Sequence, residues 1–419
     1  MKEVLLITSN VGSVFSNKST IRKNWMSNII KAIEKEKAKL VAINIQESGG
    51  KDFKQFSKDV PTLVSKLHSK LSDYRICRAF LDIDHEQTEE YTALSSIIFI
   101  HNSAVEHTKQ YNFRTSEYSN LKETDTIIST DFTEKSGWAR KEKFSRDFWP
   151  SIRWGRKGFL WTRWSLNKRI LDLVNIHLFH DESNLAFLEN PSQYSDNRAK
   201  ALNYTLKQLS KLDTDKTNLF IFGDFNFRLE IRNFIKKITK QTTEREFENP
   251  EDSSEEGQKG SSSSESEFKN SSTSYDDLLD EPMRRKNSVV EYRTNDSNSS
   301  CLLRVGKKRF DFHDTKKLIQ NWQIYREDDR EILNYPLKEL PISFPPTYPW
   351  SEDPEHHDRL MNTRAPAWCD RILMNETAWR NLFGENEAKS CAFYQTFAEN
   401  VCTGDHKPVL LAFNFTSVP

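Results

Sequence analysis

The chain has 419 residues, more than a usual single domain but within reach of one layered sheet protein carrying an insertion. Its 61 basic and 61 acidic residues cancel to a formal net charge of +0, which excludes a global positive field for holding nucleic acid or an anionic membrane, so any anion must be bound by a local cluster. Five cysteines, odd in number and without a CxxC pair, argue against a disulfide framework or a structural zinc site and for a reducing compartment.

At the N-terminus the apolar run of MKEVLLITSNVGSVF is too short for a signal sequence and predicts a first strand over Val4 to Thr8. Ile21, Trp25, Ile29, Ile30 and Ile33 then recur at three- and four-residue spacing, the pattern of an amphipathic helix. Buried strands are expected over Leu40 to Ile45, Leu94 to Ile100, Ile170 to Leu178, Leu219 to Phe222 and Pro408 to Phe415. A second helix is expected over Lys51 to Leu71, kinked or broken at Pro61. Strands mixed with helices throughout indicate an α/β layered protein. From residue 241 to 300 the chain turns acidic and serine-rich, including SSSSESE, and reads as a disordered insertion dividing a single catalytic domain of residues 1–240 and 301–419. RRKNSV within it, with Arg285, Lys286 and Ser288, is a candidate site for a basophilic kinase. No run approaches the length of a membrane helix, and Thr416, Ser417, Val418 and Pro419 contain no prenylation box. A cytoplasmic protein, at most peripheral at a membrane, is expected.

The chemistry concentrates at predicted strand ends. In LFIFGDFNFR, Asp224 and Asn226 follow a buried strand at i and i+2, so an extended backbone projects both into one cleft. A base and a neutral amide together suit the activation of water, although Gly, Asp and Asn are equally the residues of an ordinary turn. PAWCDRIL places Asp370 beside Arg371, and Arg364 lies seven residues before Arg371. Guanidinium forks suit phosphate oxygens, while a strand-start salt bridge is the plainer reading. TGDHKPV contributes Asp405 and His406, the latter credible in catalysis if a distant carboxylate such as Asp370 orients it. Asn10, Glu47, His177, Asp224 and His406 all fall at or beside predicted strand ends, and such convergence on one sheet edge is how α/β enzymes assemble active sites.

GDFNFR, PAWCDRIL and GDHKPV resemble the signature segments of the inositol polyphosphate 5-phosphatases, within the endonuclease, exonuclease and phosphatase group. SNVGSVF, NIQESGGK, RKGFLWTRW, NIHLFHDESNL, FPPTYPWSED and MNTRAPAWCDRIL resemble the type I branch, and together they cover nearly the whole chain outside the acidic tract. The resemblance implies a two-layered β-sandwich flanked by helices. It implies Mg²⁺ at Glu47 with Asn10 beside it and Asp405 near the metal, water activated by Asp224 and positioned by Asn226, and the scissile phosphate met by His177 and His406, with Asp370 orienting His406. Substrate phosphates would meet Lys157, Tyr348, Arg364 and Arg371. Lipid-acting members carry additional lysines where this chain has Pro349 and Asn362, so the implied substrates are soluble inositol 1,4,5-trisphosphate and 1,3,4,5-tetrakisphosphate, whose hydrolysis ends inositol phosphate and calcium signalling. A nuclease or phosphodiesterase of the same fold fits the neutral charge poorly. A non-catalytic inositol phosphate scaffold fits poorly with the integrity of Glu47, Asp224, Asn226, Asp370 and His406.

Overall fold

The computed structural model describes residues 1–15, 19–121, 125–133, 135–146, 155–248, 288–297, 299–384 and 392–416. Its strands form three sheets among these residues. The first runs in the order β17 (Phe393–Thr396), β18 (Val409–Phe413), β1 (Val4–Asn10), β2 (Leu40–Gln46), β4 (Ser95–Ile100), β3 (Ile76–Leu81) and β7 (Asp125–Ser129). The second runs β16 (Asp370–Met374), β11 (Asn218–Asp224), β10 (Arg169–His177), β9 (Gly158–Leu166), β5 (Thr108–Asn112) and β6 (Glu117–Asn120), with β8 (Arg140–Lys143) also pairing with β9.

Strand alternation explains the layering. Val4 and Leu6 of β1 meet Phe220 and Phe222 of β11 in a core between the sheets, whereas Leu5 and Ile7 turn outward onto Trp25, Ile29 and Ile33. The opposite face of the second sheet, with Trp161, Val174 and Ile221, packs on Ala201, Leu202 and Leu209 of the helix Pro191–Ser210. The result is two sheets covered on both outer faces by helices, and its central strands are apolar on both sides because both sides are buried. The first helix spans Ser19–Glu36 as its periodicity predicts. The second does not continue through Pro61: a short helix Phe53–Phe56 and a 3₁₀ turn precede the helix Val60–His68, and Pro61 occupies the first turn of that last piece, where its missing N–H costs nothing.

The third sheet corrects the expected insertion. Its strands are β12 (Thr242–Glu248), β13 (Ser288–Thr294), β14 (Cys301–Gly306) and β15 (Arg309–Phe312), antiparallel in that order. Thus the flanks of the 241–300 tract are paired strands, and within it residues 249–287 and 298 lie outside the described residues. Val290 and Tyr292, Leu303 and Val305, and Phe310 and Phe312 alternate onto one face and join the core around Phe234. The average composition of the tract concealed this period-two pattern at its edge. Ser288 is buried in β13, which contradicts its reading as an exposed kinase site; Arg285 and Lys286 lie outside the described residues. Cys77, Cys301 and Cys369 are free thiols. No helix among the described residues is long and apolar enough to cross a membrane.

Candidate active site

Topology gathers the site at one rim. β1 and β2 run parallel, as do β10 and β11, which aligns Asn10 with Gln46 and His177 with Asp224; β16 enters antiparallel and sets Asp370 opposite Asp224. Toward this rim the intersheet core changes from apolar to amide: Gln46 Nε2 donates to Asn175 Oδ1 at 2.7 Å, and Asn175 Nδ2 donates to the carbonyls of Ile45 at 3.0 Å and Ser95 at 2.9 Å. These amides satisfy the strand ends and fix the two sheets against each other where the candidate site side chains emerge. Two of those side chains sit on left-handed backbone, Glu47 at φ 56° and Asn226 at φ 53°, the kind of strain that persists where the surroundings enforce it. Gly12 leaves room for the carboxylate, since a Cβ there would stand 2.8 Å from Glu47 Oε2.

Asp224 is the hub. Its Oδ2 accepts from Asn10 Nδ2 at 3.0 Å and lies 3.3 Å from His177 Nε2 and 4.0 Å from His406 Nε2, while Oδ1 accepts from the Asn226 N–H at 2.9 Å. Burial opposes its charge, but His406, His177 and Lys157 outweigh that and hold the carboxyl far below the usual range. His406 Nδ1 is 2.8 Å from Asp370 Oδ2. Burial works against the imidazolium, yet Asp370 and then Asp224 raise its pKa to about 10, so His406 is a cation at neutral pH. His177 behaves oppositely: burial and the neighbouring Lys157 lower its pKa and keep it neutral. Lys157 Nζ contacts His177 Nε2, and burial brings Lys157 down to about 8 against the pull of Asp224 and Glu47. Glu47 lies 3.5 Å from Arg156, and although burial raises its pKa, Arg156, His177, Lys157 and His406 bring it to about 2.

A second group of cations adjoins this centre. Tyr348 stacks on His406 with centroids 4.6 Å apart, and the Arg228 guanidinium lies 5.1 Å over the Tyr348 ring. Arg228 also donates to Asn226 Oδ1 at 3.0 Å, and Asn226 Nδ2 donates to the Leu178 carbonyl. Arg364 donates to four backbone carbonyls, of Asp181, Glu182, Lys307 and Thr363, at 3.2–3.4 Å. Two anions, Glu47 and Asp224, therefore face a ring of cations in a partly dry cleft, an arrangement suited to a phosphoryl group.

The profile of Endonuclease/Exonuclease/phosphatase family 2 matches residues 7–274 and 290–412. A Caenorhabditis elegans relative described as a probable type I inositol 1,4,5-trisphosphate 5-phosphatase is 42% identical over 99% of this chain and 100% of its own. The chain belongs to the inositol polyphosphate 5-phosphatase family. Inositol polyphosphate-5-phosphatase A of Rattus norvegicus is 35% identical to the phosphatase, covering 98% of this chain and 92% of the relative. A solved inositol polyphosphate 5-phosphatase domain of SPsynaptojanin, in complex with inositol (1,4)-bisphosphate and calcium ion, aligns at TM-score 0.47 and 14% identity over 98% of this chain and 83% of its own.

In the phosphatase, Asn10, Glu47, Lys157, His177, Asp224, Asn226, Tyr348, Asp370 and His406 come together, with Arg364 beside them. Arg371 does not. It is fully buried, with Nε and Nη2 forked onto Glu339 and Nη1 on Asp329 at 2.9 and 3.1 Å. Successive residues of a strand face opposite sides, so when Asp370 turns to His406, Arg371 must turn away. Asp405 is within electrostatic reach of Glu47, but its side-chain partners are Ser13 Oγ at 2.9 Å and Lys51 Nζ at 3.9 Å. Arg156 and Arg228 were missed in the sequence, although each immediately adjoins a recognised segment residue and carries a guanidinium. The Lys157 charge is present below a pH of about 8 and lost above it. The kcat/KM of the phosphatase is accordingly expected to fall on the alkaline side with a midpoint near this value, and the limb to vanish in Lys157→Met; an unchanged limb in that variant would exclude the assignment.

Proposed function

We propose that this phosphatase hydrolyses the 5-phosphate of soluble inositol polyphosphates, inositol 1,4,5-trisphosphate and 1,3,4,5-tetrakisphosphate, with Mg²⁺ at Glu47 and Asn10. The observation that carries the reading is the Asp370–His406–Asp224 arrangement, which presents a fixed imidazolium beside an ionised carboxylate at the rim. Asn10 Nδ2 lies 3.4 Å from Glu47 Oε1. An ionised carboxylate and an amide oxygen suit a hard divalent cation that retains most of its waters, and no cluster of three or more His, Cys, Asp or Glu ligands occurs among the described residues. When bound, the ion supplies Lewis-acid polarisation of a phosphoryl oxygen.

The protein's own groups do the rest. Asp224 takes the proton of the attacking water; its low intrinsic basicity rises as the phosphate dianion enters and offsets the cations that depress it. Asn226, held by Arg228 and Leu178, fixes the turn that aims Asp224. His406 donates to a phosphoryl oxygen, and Asp370 holds its ring and its charge. Lys157 and Arg228 add positive charge at the rim.

Magnesium-dependent release of phosphate, measured across soluble inositol phosphates and short-chain phosphoinositides, tests the substrate reading; preference for the lipids or the absence of release from the trisphosphate would overturn it. Glu47→Gln is expected to raise the Mg²⁺ concentration for half-maximal activity by ~10-fold or more. It should also diminish the Mg²⁺-induced thermal shift of the substrate-free protein. Unchanged Mg²⁺ responses in both measurements would remove Glu47 from the metal site.

A further inference from the structure

Ser13 Oγ lies 2.9 Å from Asp405 Oδ1 and contacts Glu352 Oε1, and Lys51 Nζ contacts the same Glu352 oxygen while standing 3.9 Å from Asp405 Oδ2. A hydroxyl carries one proton and serves one carboxylate at a time. The ammonium of Lys51 therefore bridges the two carboxylates in a way that Ser13 alone cannot. Partial burial opposes its charge, but Asp405, Glu352 and Glu47 hold it protonated.

Each member of this cluster stands on a loop that carries a site residue. Ser13 follows Asn10, Lys51 follows Glu47, Glu352 follows Tyr348, and Asp405 precedes His406. Backbone hydrogen bonds hold these loops in two pairs. The Lys51 N–H donates to the Gly12 carbonyl at 3.1 Å, while the Trp350 N–H donates to the Asp405 carbonyl at 2.9 Å and the Lys407 N–H to the Thr347 carbonyl at 2.8 Å. The first pair brings Asn10 and Glu47, and the second brings the His406 imidazolium with its stacked Tyr348. The pairs approach each other closely at Gly404, which sits at φ 113° and where a Cβ would stand 2.9 Å from Ser13 Cβ. The cluster spans this same gap with side chains, from Ser13 and Lys51 on one side to Glu352 and Asp405 on the other. Lys51 is 57% exposed, and ion pairs with such a partner add little to the stability of a fold. The effect of the cluster falls instead on the spacing of the two loop pairs.

Resting on the function proposed above, we propose that Ser13, Lys51, Glu352 and Asp405 form a clasp that fixes the spacing between the Glu47–Asn10 side of the site and the His406–Tyr348 side, with Lys51 and Glu352 as positioning residues for phosphate hydrolysis. Asp224 and His406 must meet one phosphoryl group and its attacking water in a single geometry, and a displacement of about 1 Å can cost about 100-fold in rate. Loss of the ammonium removes a link across the gap and leaves like charges facing each other around Ser13, so the His406 loop shifts.

Steady-state phosphate release from inositol 1,4,5-trisphosphate at saturating Mg²⁺ is compared for wild type, Lys51→Met, Lys51→Arg, Glu352→Gln and Lys51→Met/Glu352→Gln, with thermal unfolding as the control on folding. Lys51→Met is expected to lower kcat by roughly 10–50-fold with KM within about twofold, the signature of misplaced reacting groups, while its melting temperature moves by a few degrees at most. Lys51→Arg keeps the charge and should stay within about threefold of wild type in kcat. Glu352→Gln is nearly isosteric and gives a second reading should Lys51→Met fold poorly; its kcat is expected to fall by roughly 3–10-fold at unchanged KM. The double variant removes the like-charge pair together with the ammonium, so it should exceed Lys51→Met in kcat by about threefold or more. A KM rise as the main effect of Lys51→Met would make Lys51 a substrate contact and overturns the clasp. Unchanged kcat values, or a double variant that loses the product of the two single losses, overturn it as well. These failures leave the proposed function standing. Wild-type protein that releases no phosphate from the trisphosphate overturns the proposed function and this inference together.

Discussion

Asp224→Asn is expected to reduce phosphate release by on the order of 10³-fold or more while the protein remains folded. The substitution keeps the shape of the side chain and removes the only property the site is built around. Asn10, the Asn226 N–H and the two histidines all converge on this carboxylate, so its loss removes the base and disorders the hydrogen-bond polarity of its neighbours. A second readout separates this from general damage. Because Asp224 helps to raise the His406 pKa to about 10, the variant should show His406 titrating at lower pH by NMR, still above an ordinary histidine because Asp370 remains. Retained turnover would sink the assigned role of Asp224, and an unmoved His406 would show that the two do not share one electrostatic unit.

Arg371→Ala is expected to destabilise the protein by about 3–5 kcal/mol, the usual consequence of removing one partner from a buried ion network. The side chains of Arg371, Asp329 and Glu339 are 0%, 1% and 6% exposed. Among the described residues, deletion of the guanidinium leaves Asp329 with Arg326 alone and Glu339 with only the Tyr394 hydroxyl, and burial already raises the Asp329 pKa. Chemical denaturation measures the loss. KM per folded molecule should stay near the wild-type value, because the guanidinium does not reach the rim. A stable variant with a strongly raised KM would return Arg371 to the substrate site.

Arg371 and Ser288 show where local reading fails. Each lies in a motif whose one-dimensional pattern is equally satisfied by an exposed and a buried side chain. In β16 the alternation is visible, but which of Asp370 and Arg371 turns to the cleft depends on pairing with β11, more than 140 residues away. Ser288 stands at the end of a serine-rich tract, and only its pairing as part of β13 reveals that it is covered.

The sequence by itself determined the layered architecture, because continuous apolar runs can be buried only between layers. It also determined the chemical inventory at the strand ends, Asn10, Glu47, His177, Asp224 and His406, because glycine, carboxylate and imidazole end those runs abruptly. Tertiary structure alone decided the charge states: His406 is cationic through Asp370 and Asp224, and His177 neutral through burial and Lys157. It alone decided that Arg371 holds the core and that Arg156 faces Glu47. Electrostatic partnership depends on distance in space, and these partners are far apart in the chain or turned by strand register, so no local spacing encodes them.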